Sequence, residues 1–497
     1  MKKKLLSLIL AGLMLAGSML SCSDSESGKK TETQPTQGGS QAAEETEYTY
    51  LDEIPDTAKF GGQKIRYVAA RDTSSIYVDL EDEEGQITDI VQEAVWRRNN
   101  IVQERLDVEI EFIEELHRDS FNKTVMNSIN ASSDDYDVFV GHQRFQVELA
   151  SQGVMKNLSS MENLDFEKPY WAGDYIENLS YKGISYWITG DMLNGFIGDA
   201  WVMFVNSTVW NMNHSDKDIY SIVNDGQWTV DKLNELTQEV YVDNNGNGKA
   251  EAEDRFGLFL EPSIRATAMM LSSDVFFSDK DAEGVPYLII QNEHTFNAFE
   301  KMHALMYNNP NVLNKEDDNI DDVSMFVSDN LLFFIDTLNT LQSDDLRDME
   351  SDYKVIPLPK YDEEQENYIT THYDGIPVIG IPITVSFDNL DAITATLEVT
   401  SSVAHEISLP AYYDGAMKNK YSRDPEQAAM VDLIHDTITG DFCHIYGDVV
   451  GKYCSLYGFW SANIMRESIS SMLQKNAKLW EKDLETLLEA FEEHIDN

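Results

Sequence analysis

The chain has 497 residues, 42% of them apolar and 10% aromatic, which is enough material for a sizeable core and more length than one core usually accommodates, so we expect two domains. Acidic residues outnumber basic ones 88 to 37, for a formal net charge of −51. This charge argues against nucleic acid or an anionic membrane surface as a binding partner, because both are recognised through basic side chains.

The N-terminus carries the pattern of an export signal. Three lysines follow the initial methionine, and an apolar run then extends from Leu5 to Leu20, which is shorter than a typical membrane-spanning helix. The segment ends in Ser21-Cys22, which resembles the bacterial lipoprotein box, where the cysteine becomes the acylated first residue. We expect residues 1–21 to be a signal peptide and Cys22 to anchor the protein on the outer side of the cytoplasmic membrane, or on its periplasmic side where an outer membrane exists. An ordinary secretory signal with an incidental cysteine is the alternative.

A polar tether precedes the folded part. Residues 22–55 open with a stretch rich in Ser, Thr, Gln, Gly and Glu, a composition that favours a flexible chain. No later segment looks like a linker, so we expect the two domains to be interwoven in sequence. After removal of the signal and lipidation of Cys22, Cys443 and Cys454 are the remaining cysteines. Their spacing in an exported chain is compatible with a disulfide and also with two buried thiols.

Short β-rich runs alternate with helical patterns at the start of the folded part. The runs are "KIRYVAA" (64–70), "DVEIEFIEE" (107–115), "DVFVGH" (137–142) and "YWITG" (186–190). Helical segments such as 89–106 separate them. This alternation predicts α/β units on a largely parallel sheet, in which ligands bind beyond the carboxyl ends of the strands.

A second α/β run follows, with "WVMFVN" (201–206) and a helical pattern over 229–241 that begins at the N-cap candidate Thr229. Further strand-like runs are "FGLFLEP" (256–262), "DNLLFFIDT" (329–337), "YKVIPLP" (353–359) and "IPVIGIPIT" (376–384). The last hundred residues are mainly helical in pattern and end in an amphipathic segment over 467–491, whose apolar stripe is expected to face the core.

Residues 243–254 have the spacing of a calcium-binding loop. When Asp243 is counted as position 1, Gly248 falls at position 6 and the carbonyl of Lys249 at position 7. Oxygen-bearing side chains fill the other ligand positions: Asn245, Asn247, Glu251 and Asp254. Asp254 stands where the standard loop has a glutamate, and its shorter reach weakens bidentate binding. We expect a structural Ca²⁺ site here; an Asn-Gly-rich surface turn without metal is the alternative.

Several segments, taken in order, resemble the extracellular solute-binding proteins that feed ABC importers, in particular the carbohydrate-binding group that includes the maltose-binding protein. The resemblance spans most of the chain after the tether, and it rests on the calcium-like loop and on "DYDVFVGHQRF", "NLDFEKPYW", "KGISYWITGDMLNGFIGDAWVMFVN", "QWTVDKLNEL", "YKVIPLPKYDEEQE", "AYYDGAMKNKYSRDPEQ" and "LYGFWSANIMRESI". It implies an α/β, two-lobed fold like that of the periplasmic binding proteins (Venus flytrap), with interwoven lobes, a cleft between them and a helical C-terminal region.

The resemblance also implies an order of the lobes along the chain. Residues 56–195 form the first part of lobe 1 in this interpretation, and residues 196–370 form the first part of lobe 2. Residues 371–410 return to lobe 1. Residues 411–497 are expected to be helical and to belong mainly to lobe 2.

Ligand-binding residues carry over from the same motifs. "GHQRF" is similar to a stretch that reaches sugar hydroxyls from lobe 1 and implies Gln143 and Arg144, although Gln143 stands where the family has an acid. "GDAW" implies Asp199 at the first crossing between lobes, and "FLEP" implies Glu261 at a strand end of lobe 2. "GFW" implies Trp460 as a sugar-stacking ring. Aromatic faces pack against the C–H faces of a sugar, while carboxylates, amides and Arg bind its hydroxyls.

Each of these residues has an alternative role. Arg144 would otherwise form a surface ion pair, Asp199 a helix cap and Glu261 a solvated strand end, while Trp460 would pack in the core. Four further aromatic residues are candidates for the cleft, with core packing as the favoured role: Trp187, Trp201, Tyr412 and Tyr413.

Together these features predict a lipid-anchored extracellular receptor that binds a carbohydrate, of oligosaccharide size, and delivers it to the membrane subunits of an ABC importer. We expect a monomer that closes around its ligand and catalyses no reaction. A peptide or a cationic metabolite is the alternative cargo, which the acidic balance favours. An exported carbohydrate-active enzyme with paired carboxylates is a further alternative. Against it, the sequence contains no convincing nucleophile elbow, zinc-binding helix signature or phosphate loop.

Overall fold

The structure is a computed structural model that describes residues 50–70, 89–314, 320–373, 375–418, 425–450 and 469–495. The signal peptide, the anchor candidate Cys22, Cys454 and the stacking candidate Trp460 lie outside these residues. What the sequence predicts for them stays a prediction.

Short strands and helices alternate along the described chain. The strands are β1 Gln63–Ala70, β2 Val108–Leu116, β3 Val138–His142, β4 Trp201–Asn206, β5 Phe256–Phe259, β6 Ser278–Lys280, β7 Pro286–Leu288, β8 Val312–Leu313, β9 Leu331–Thr337, β10 Tyr353–Pro357 and β11 Pro377–Gly380. The helices are α1 Ile90–Leu106, α2 Arg118–Asn130, α3 Gln143–Ser151, α4 Gly173–Asn178, α5 Gly195–Gly198, α6 Ser207–His214, α7 Ile219–Asn224, α8 Val230–Leu236, α9 Ile264–Ser272, α10 Glu293–His303, α11 Asp322–Val327, α12 Asp344–Asp348, α13 Phe387–Glu406, α14 Ser408–Lys418, α15 Pro425–Asp436, α16 Phe442–Ile445, α17 Gly447–Val450 and α18 Ile469–Glu493.

Side-chain caps explain where several helices begin. Asp89 accepts hydrogen bonds from the backbone N–H groups of the second and third residues of α1, each at 2.9 Å. Thr229 caps α8 in the predicted way, with Oγ1 accepting from the Lys232 N–H at 3.1 Å. α8 nevertheless ends at Leu236, one turn earlier than the apolar spacing to Val240 suggested. A buried Val240 continues the apolar stripe without continuing the helix.

Two sheets organise the chain, and each is mixed instead of largely parallel as the sequence suggested. The first has strand order β11-β3-β1-β2, with β1 parallel to β2 and β3 and β11 antiparallel to β3. The second has order β10-β4-β9-β5-β8. In it, β5 is parallel to both of its neighbours, β8 and β9, whereas β4 is antiparallel to both of its neighbours, β9 and β10. The antiparallel pairs of these two sheets all involve strands next to a passage between the sheets, namely β4, β10 and β11. We name the first sheet and its helices lobe 1 and the second lobe 2.

The chain passes from lobe 1 to lobe 2 between β3 and β4 and returns between β10 and β11. After β11 the chain crosses to lobe 2 again, because Gln427 of α15 bonds to β10. The first two crossing segments run side by side. The Trp201 N–H donates to the Thr371 carbonyl at 2.9 Å, and the Tyr373 N–H donates to the Asp199 carbonyl at 3.0 Å. Paired crossing segments of this kind form a hinge between lobes. The lobe boundaries expected from the sequence stay a prediction in detail.

The predicted strand at 186–190 is absent. Its residues form only isolated bridges, Ile188 with Ile379 and Gly190 with Trp171. The segment lies beside the edge strand β11, where Ile188 and Ile379 exchange both backbone hydrogen bonds, but this pairing does not extend into a strand. Its apolar composition reflects burial, since Tyr186, Trp187 and Ile188 are all at most 2% exposed.

The C-terminal helix α18 contacts both lobes, whereas the sequence assigned residues 411–497 mainly to lobe 2. The ring of Phe491 stacks on Tyr181 and Tyr186 of lobe 1, each at 5.7 Å between centroids. Near the middle of the helix, Trp480 packs edge-on against Phe277 of lobe 2 at 5.9 Å. The amphipathic stripe is therefore core-facing, as expected, but it covers a surface that two lobes share.

The core covers both faces of the second sheet. Consecutive residues of β9, Phe333 and Phe334, point to opposite faces and belong to separate buried clusters, with exposures of 0% and 2%. This double burial explains the continuous apolar run of β9. Within the described part of the chain, no helix combines the length and the apolar character needed to cross a membrane.

Candidate functional site

On lobe 1, the predicted contacts lie at the carboxyl end of β3, where α3 begins. Gln143 is fully buried, and its Oε1 accepts a hydrogen bond from the Tyr175 hydroxyl at 3.0 Å. Its Nε2 is also buried and has no hydrogen-bond partner. Arg144, the next residue, is exposed. The structure therefore separates this predicted pair, with the amide turned inward and the guanidinium at the surface.

Asp199 lies at the crossing between lobes, directly after α5. Its Oδ1 accepts from the Asn339 side-chain amide at 2.8 Å, and Asn339 Oδ1 in turn accepts from the Tyr412 hydroxyl at 2.7 Å. Burial raises the pKa of the Asp199 carboxyl to about 6, although the hydrogen bond from Asn339 opposes the shift. The carboxyl does not cap a helix, the alternative role considered above; it accepts a hydrogen bond from the Asn339 side chain of lobe 2 instead.

The approach of Asn339 to the crossing depends on a glycine. A Cβ atom at Gly198 would lie 2.4 Å from Asn339 Oδ1 and 2.6 Å from the Tyr412 hydroxyl oxygen, which is closer than real Cβ contacts come. Gly198 therefore leaves the space in which the chain of hydrogen bonds from Tyr412 to Asp199 forms.

On lobe 2, two adjacent parallel strands end at the same sheet edge. Glu261 follows β5 and is half-buried. Asp336 is the second-to-last residue of β9, which is parallel to β5. Arg265 anchors this edge, because its Nε donates to the Ile335 carbonyl at 2.8 Å and its guanidinium lies 3.0 Å from Asp322. The arrangement places carboxylates and one guanidinium where open α/β sheets bind ligands.

Sequence reasoning missed three of these polar residues. Asp336 ends a predicted strand, so the argument that nominated Glu261 could also have found Asp336. Arg265 and Asn339 carry no comparable signal, because nothing local distinguishes them from surface residues. Their positions follow from long-range packing.

The aromatic candidates are mostly core residues. Trp187 is 1% exposed, and its indole N–H donates to the Tyr446 hydroxyl at 3.2 Å. Trp201 is 4% exposed and packs edge-on against Tyr373. Tyr412 is 3% exposed but contributes through its hydroxyl, as described above.

The calcium-like loop wraps around its first residue. Asp243 Oδ1 accepts from the Gly246 N–H at 2.7 Å, and its Oδ2 accepts from the Gly248 N–H at 2.8 Å. Both glycines have left-handed backbones, with φ of 71° and 73°. The side-chain amides of Asn245 and Asn247 both bond to Glu251 Oε1. Asn245 and Asn247 thus meet at the Glu251 carboxylate, while Asp243 binds the backbone of the same loop.

The last ligand position fits a cation less well. Asp254 is fully buried, and its carboxylate accepts from the backbone N–H groups of Asn244 at 3.0 Å and Glu251 at 3.3 Å. Among the described residues, no three His, Cys, Asp or Glu side chains converge as a metal site. A cation in this loop would rely on amide and main-chain oxygens beside the carboxylates. These all-oxygen donors suit Ca²⁺ better than a transition metal.

No protein-family model matches the chain, and no curated protein matches it. Solved structures do. The sugar-binding protein MalE of Xanthomonas citri is similar over 88% of this chain and 100% of its own, with 12% identity and a TM-score of 0.57. A cyclo/maltodextrin-binding protein in complex with maltotetraose is similar over 88% and 99%, with 10% identity and a TM-score of 0.54. UgpB of Mycobacterium tuberculosis, in complex with glycerophosphocholine, is similar over 88% and 100%, with 12% identity and a TM-score of 0.50.

These likenesses establish the fold. The chain has the two-lobed α/β architecture of the solute-binding proteins of ABC importers, as the sequence resemblance implied. In this fold, the candidate residue Asp199 lies where the two lobes meet at the crossing segments.

Proposed function

We propose that the protein is a receptor that binds a carbohydrate in the cleft between its lobes. The observation that carries this proposal is the fold, in which polar groups of both lobes meet at the crossing: Asp199 of the first crossing bonds to Asn339 of lobe 2 at 2.8 Å. Sugar-binding proteins of the same fold support a carbohydrate as the ligand. Carboxylates and amides with free lone pairs are the groups that accept hydrogen bonds from sugar hydroxyls.

The mechanism is closure of the lobes around the ligand. Contacts to Asp199 at the hinge and to Glu261 on lobe 2 are made together with contacts from lobe 1 only when the lobes approach. A ligand that bridges the lobes therefore shifts the population towards the closed form. No bond is made or broken, so the ligand leaves unchanged.

Delivery to the membrane subunits of an ABC importer and anchoring through a lipid on Cys22 complete the proposal. The lipoprotein-like segment around Cys22 supports the anchor. We expect Cys22→Ser to move the protein from the membrane fraction to the soluble fraction of the same cells, measured by fractionation and immunoblotting. An unchanged membrane fraction would contradict the lipid anchor.

A titration tests the ligand. The chain without residues 1–21, carrying Cys22→Ser, is melted with maltotetraose and with glycerophosphocholine, and the ligand is recovered and analysed afterwards. A sugar that raises the melting temperature and is recovered intact supports the receptor. Asp199→Asn should weaken that stabilisation, whereas the exposed Asp216→Asn should leave it unchanged.

The other outcomes favour the alternatives. Stabilisation by glycerophosphocholine but not by a panel of oligosaccharides would support a metabolite that carries a quaternary ammonium group as cargo. The net charge of −51 favours that group, and UgpB, which has a similar fold, is in complex with this zwitterion. Shortened sugar products would instead support a carbohydrate-active enzyme.

We also propose that residues 243–254 bind a structural Ca²⁺ ion. The contacts of Asn245 and Asn247 with Glu251, in a loop that wraps around Asp243, support it. Calcium added after chelation should raise the melting temperature of the wild type and of Asp216→Asn, but not of Asp243→Ala. Equal melting with and without calcium would support the metal-free surface turn.

A further inference from the structure

A cavity beside the crossing segments, called the second cavity below to distinguish it from the proposed cleft, adjoins one of the predicted sugar contacts. Tyr175 in its wall donates to Gln143 Oε1 at 3.0 Å. The volume of the cavity is about 570 Å³. Residues within 166–177 line one side and residues within 435–438 line another, and Asp191 and Phe196 of the first crossing complete the wall. The described lining includes none of the residues predicted to contact a sugar.

The two sides of this cavity belong to different lobes. Trp171, on one side, donates its indole N–H to Glu398 of α13 at 2.8 Å, and α13 packs on α1 in lobe 1. The other side begins at the end of α15. Gln427 of α15 accepts from the Val355 N–H of β10 in lobe 2 at 3.1 Å. The cavity therefore spans the lobes next to the hinge.

The lining combines aromatic rings with negative charge. The rings are those of Phe166, Trp171, Tyr175 and Phe196. The carboxylates are those of Glu167, Asp174, Glu177, Asp191 and Asp436. The lining has two basic residues, Lys168 and His435. The ammonium group of Lys168 already lies 2.9 Å from the Glu53 carboxylate. The lining is thus anionic, although His405 lies 2.5 Å from Asp191 and His435 lies 3.3 Å from Asp436, and each offsets part of the charge when it is protonated.

One of the acids is held inside the protein. Asp191 is 4% exposed, and its Oδ2 lies 2.5 Å from His405 Nδ1 at the end of α13. Trp171 and Phe196 are each 5% exposed, so the rings are part of the wall and not mobile surface groups. The wall is therefore rigid, while Glu177 and Asp436 are exposed, one on each side.

We infer that this cavity binds a small organic cation, such as an alkylammonium or a short polyamine. Aromatic faces attract cations, and carboxylates supply the countercharge. Rings and carboxylates also bind sugars, but the excess of carboxylates over basic groups in this lining favours a cationic ligand over a neutral one. An inorganic cation would make no use of the four rings. The inference does not depend on which solute occupies the main cleft.

The position of the cavity gives the cation a consequence. Because its walls belong to different lobes, its dimensions change when the hinge moves. In a receptor that closes as proposed above, a cation in the cavity and a solute in the cleft change each other's affinity by the same factor.

Calorimetric titration of the chain without residues 1–21, with Cys22→Ser, tests the site with choline and with spermidine at fixed ionic strength. The double variant Glu177→Gln/Asp436→Asn removes one charge from each side of the cavity. We expect it to bind the cation about fivefold more weakly or worse, in keeping with the loss of two close charge contacts. The control Glu481→Gln/Glu485→Gln removes two exposed charges from α18 and should bind like the parent.

A second variant tests the cavity without changing charge. Ala172→Trp places a large ring into the lining and should abolish binding while the circular dichroism spectrum stays that of the parent. Equal loss of affinity in both charge variants would reduce the effect to the overall charge of −51 and overturn the site. Absence of saturable binding of both cations to the parent, or unchanged binding in Ala172→Trp, would overturn it as well.

Discussion

At the crossing, the fold changes the acidity of the Asp199 carboxyl. Its pKa rises from an ordinary value of 3.8 to about 6 because burial disfavours the charged form. The folded state therefore binds this proton more tightly than the unfolded state. The tighter proton binding contributes about 3 kcal/mol to the free energy of unfolding below about pH 4. This contribution is lost as the pH rises through about 6.

We predict that Asp199→Asn removes this part of the pH dependence. Urea unfolding between pH 4 and pH 7 should show a smaller loss of stability with rising pH in the variant than in the wild type, because the asparagine does not ionise. Asp216→Asn, an exposed control, should keep the wild-type slope. Identical slopes in Asp199→Asn and wild type would mean that the carboxyl is not buried as described.

Gly190 is constrained by its surroundings sterically, because no side chain fits at this position. A Cβ atom there would lie 2.4 Å from the Tyr170 carbonyl oxygen and 3.1 Å from the Trp171 Cα, both backbone atoms that cannot rotate away. We predict that Gly190→Ala lowers the free energy of unfolding by about 2 kcal/mol or more, the range of overpacked sites.

The matched control for that substitution is Gly61→Ala. Gly61 has a φ of 64° but nothing within 4 Å of its would-be Cβ, so it tests backbone strain alone, at about 1 kcal/mol. Chemical denaturation measures both variants. A smaller loss at Gly190 than at Gly61 would contradict the close packing of the segment over 186–190.

At the scale of elements, α13 organises lobe 1 around one buried acid. Glu398 is 2% exposed and accepts from the Tyr170 hydroxyl at 2.5 Å, the Trp171 indole N–H at 2.8 Å and the Asp165 N–H at 3.3 Å. Burial raises the pKa of the Glu398 carboxyl, and these donors oppose the shift. The helix thus ties down the loop that forms one wall of the second cavity.

We predict that Glu398→Ala lowers the free energy of unfolding by about 3 kcal/mol, because two buried donors lose their acceptor. Glu398→Gln keeps an acceptor oxygen and should lose about 1 kcal/mol. Denaturant titration followed by tryptophan fluorescence distinguishes them. Equal losses would show that Glu398 acts through its charge and not as a hydrogen-bond acceptor.

Most strands and the long helices could be predicted from local pattern. The runs at 64–70, 107–115 and 201–206 became β1, β2 and β4 within one residue at each end, because apolar side chains recur along each run. They are continuous in the buried β4 and alternate with glutamates in the edge strand β2. The run at 186–190 failed the same test, because a buried irregular segment has the same composition as a buried strand.

For the whole molecule, the expected behaviour is a change of shape. We predict that a ligand that raises the melting temperature also reduces the radius of gyration in small-angle X-ray scattering, because closure brings the lobes together. Asp199→Asn, measured at the same ligand concentration, should show a smaller change. A ligand that stabilises the protein without any compaction would contradict hinge closure.

The pairing of elements into lobes was beyond local pattern. The helix α18 packs its apolar stripe on rings of both lobes, Phe277 and Tyr186 among them, although its sequence only predicts that the stripe is buried. Strand direction was likewise undetermined, because parallel and antiparallel partners offer a buried strand the same apolar surroundings.

By itself, the sequence determined the anionic character of the protein, the position of most elements, the cap of α8 and the spacing of the loop over 243–254. These are local properties, since they depend on composition or on residues a few positions apart. The tertiary structure alone decided the polar partners at the crossing. Asp199 and Asn339 are 140 residues apart in sequence, and only the packing of one lobe against the other brings their side chains within 2.8 Å.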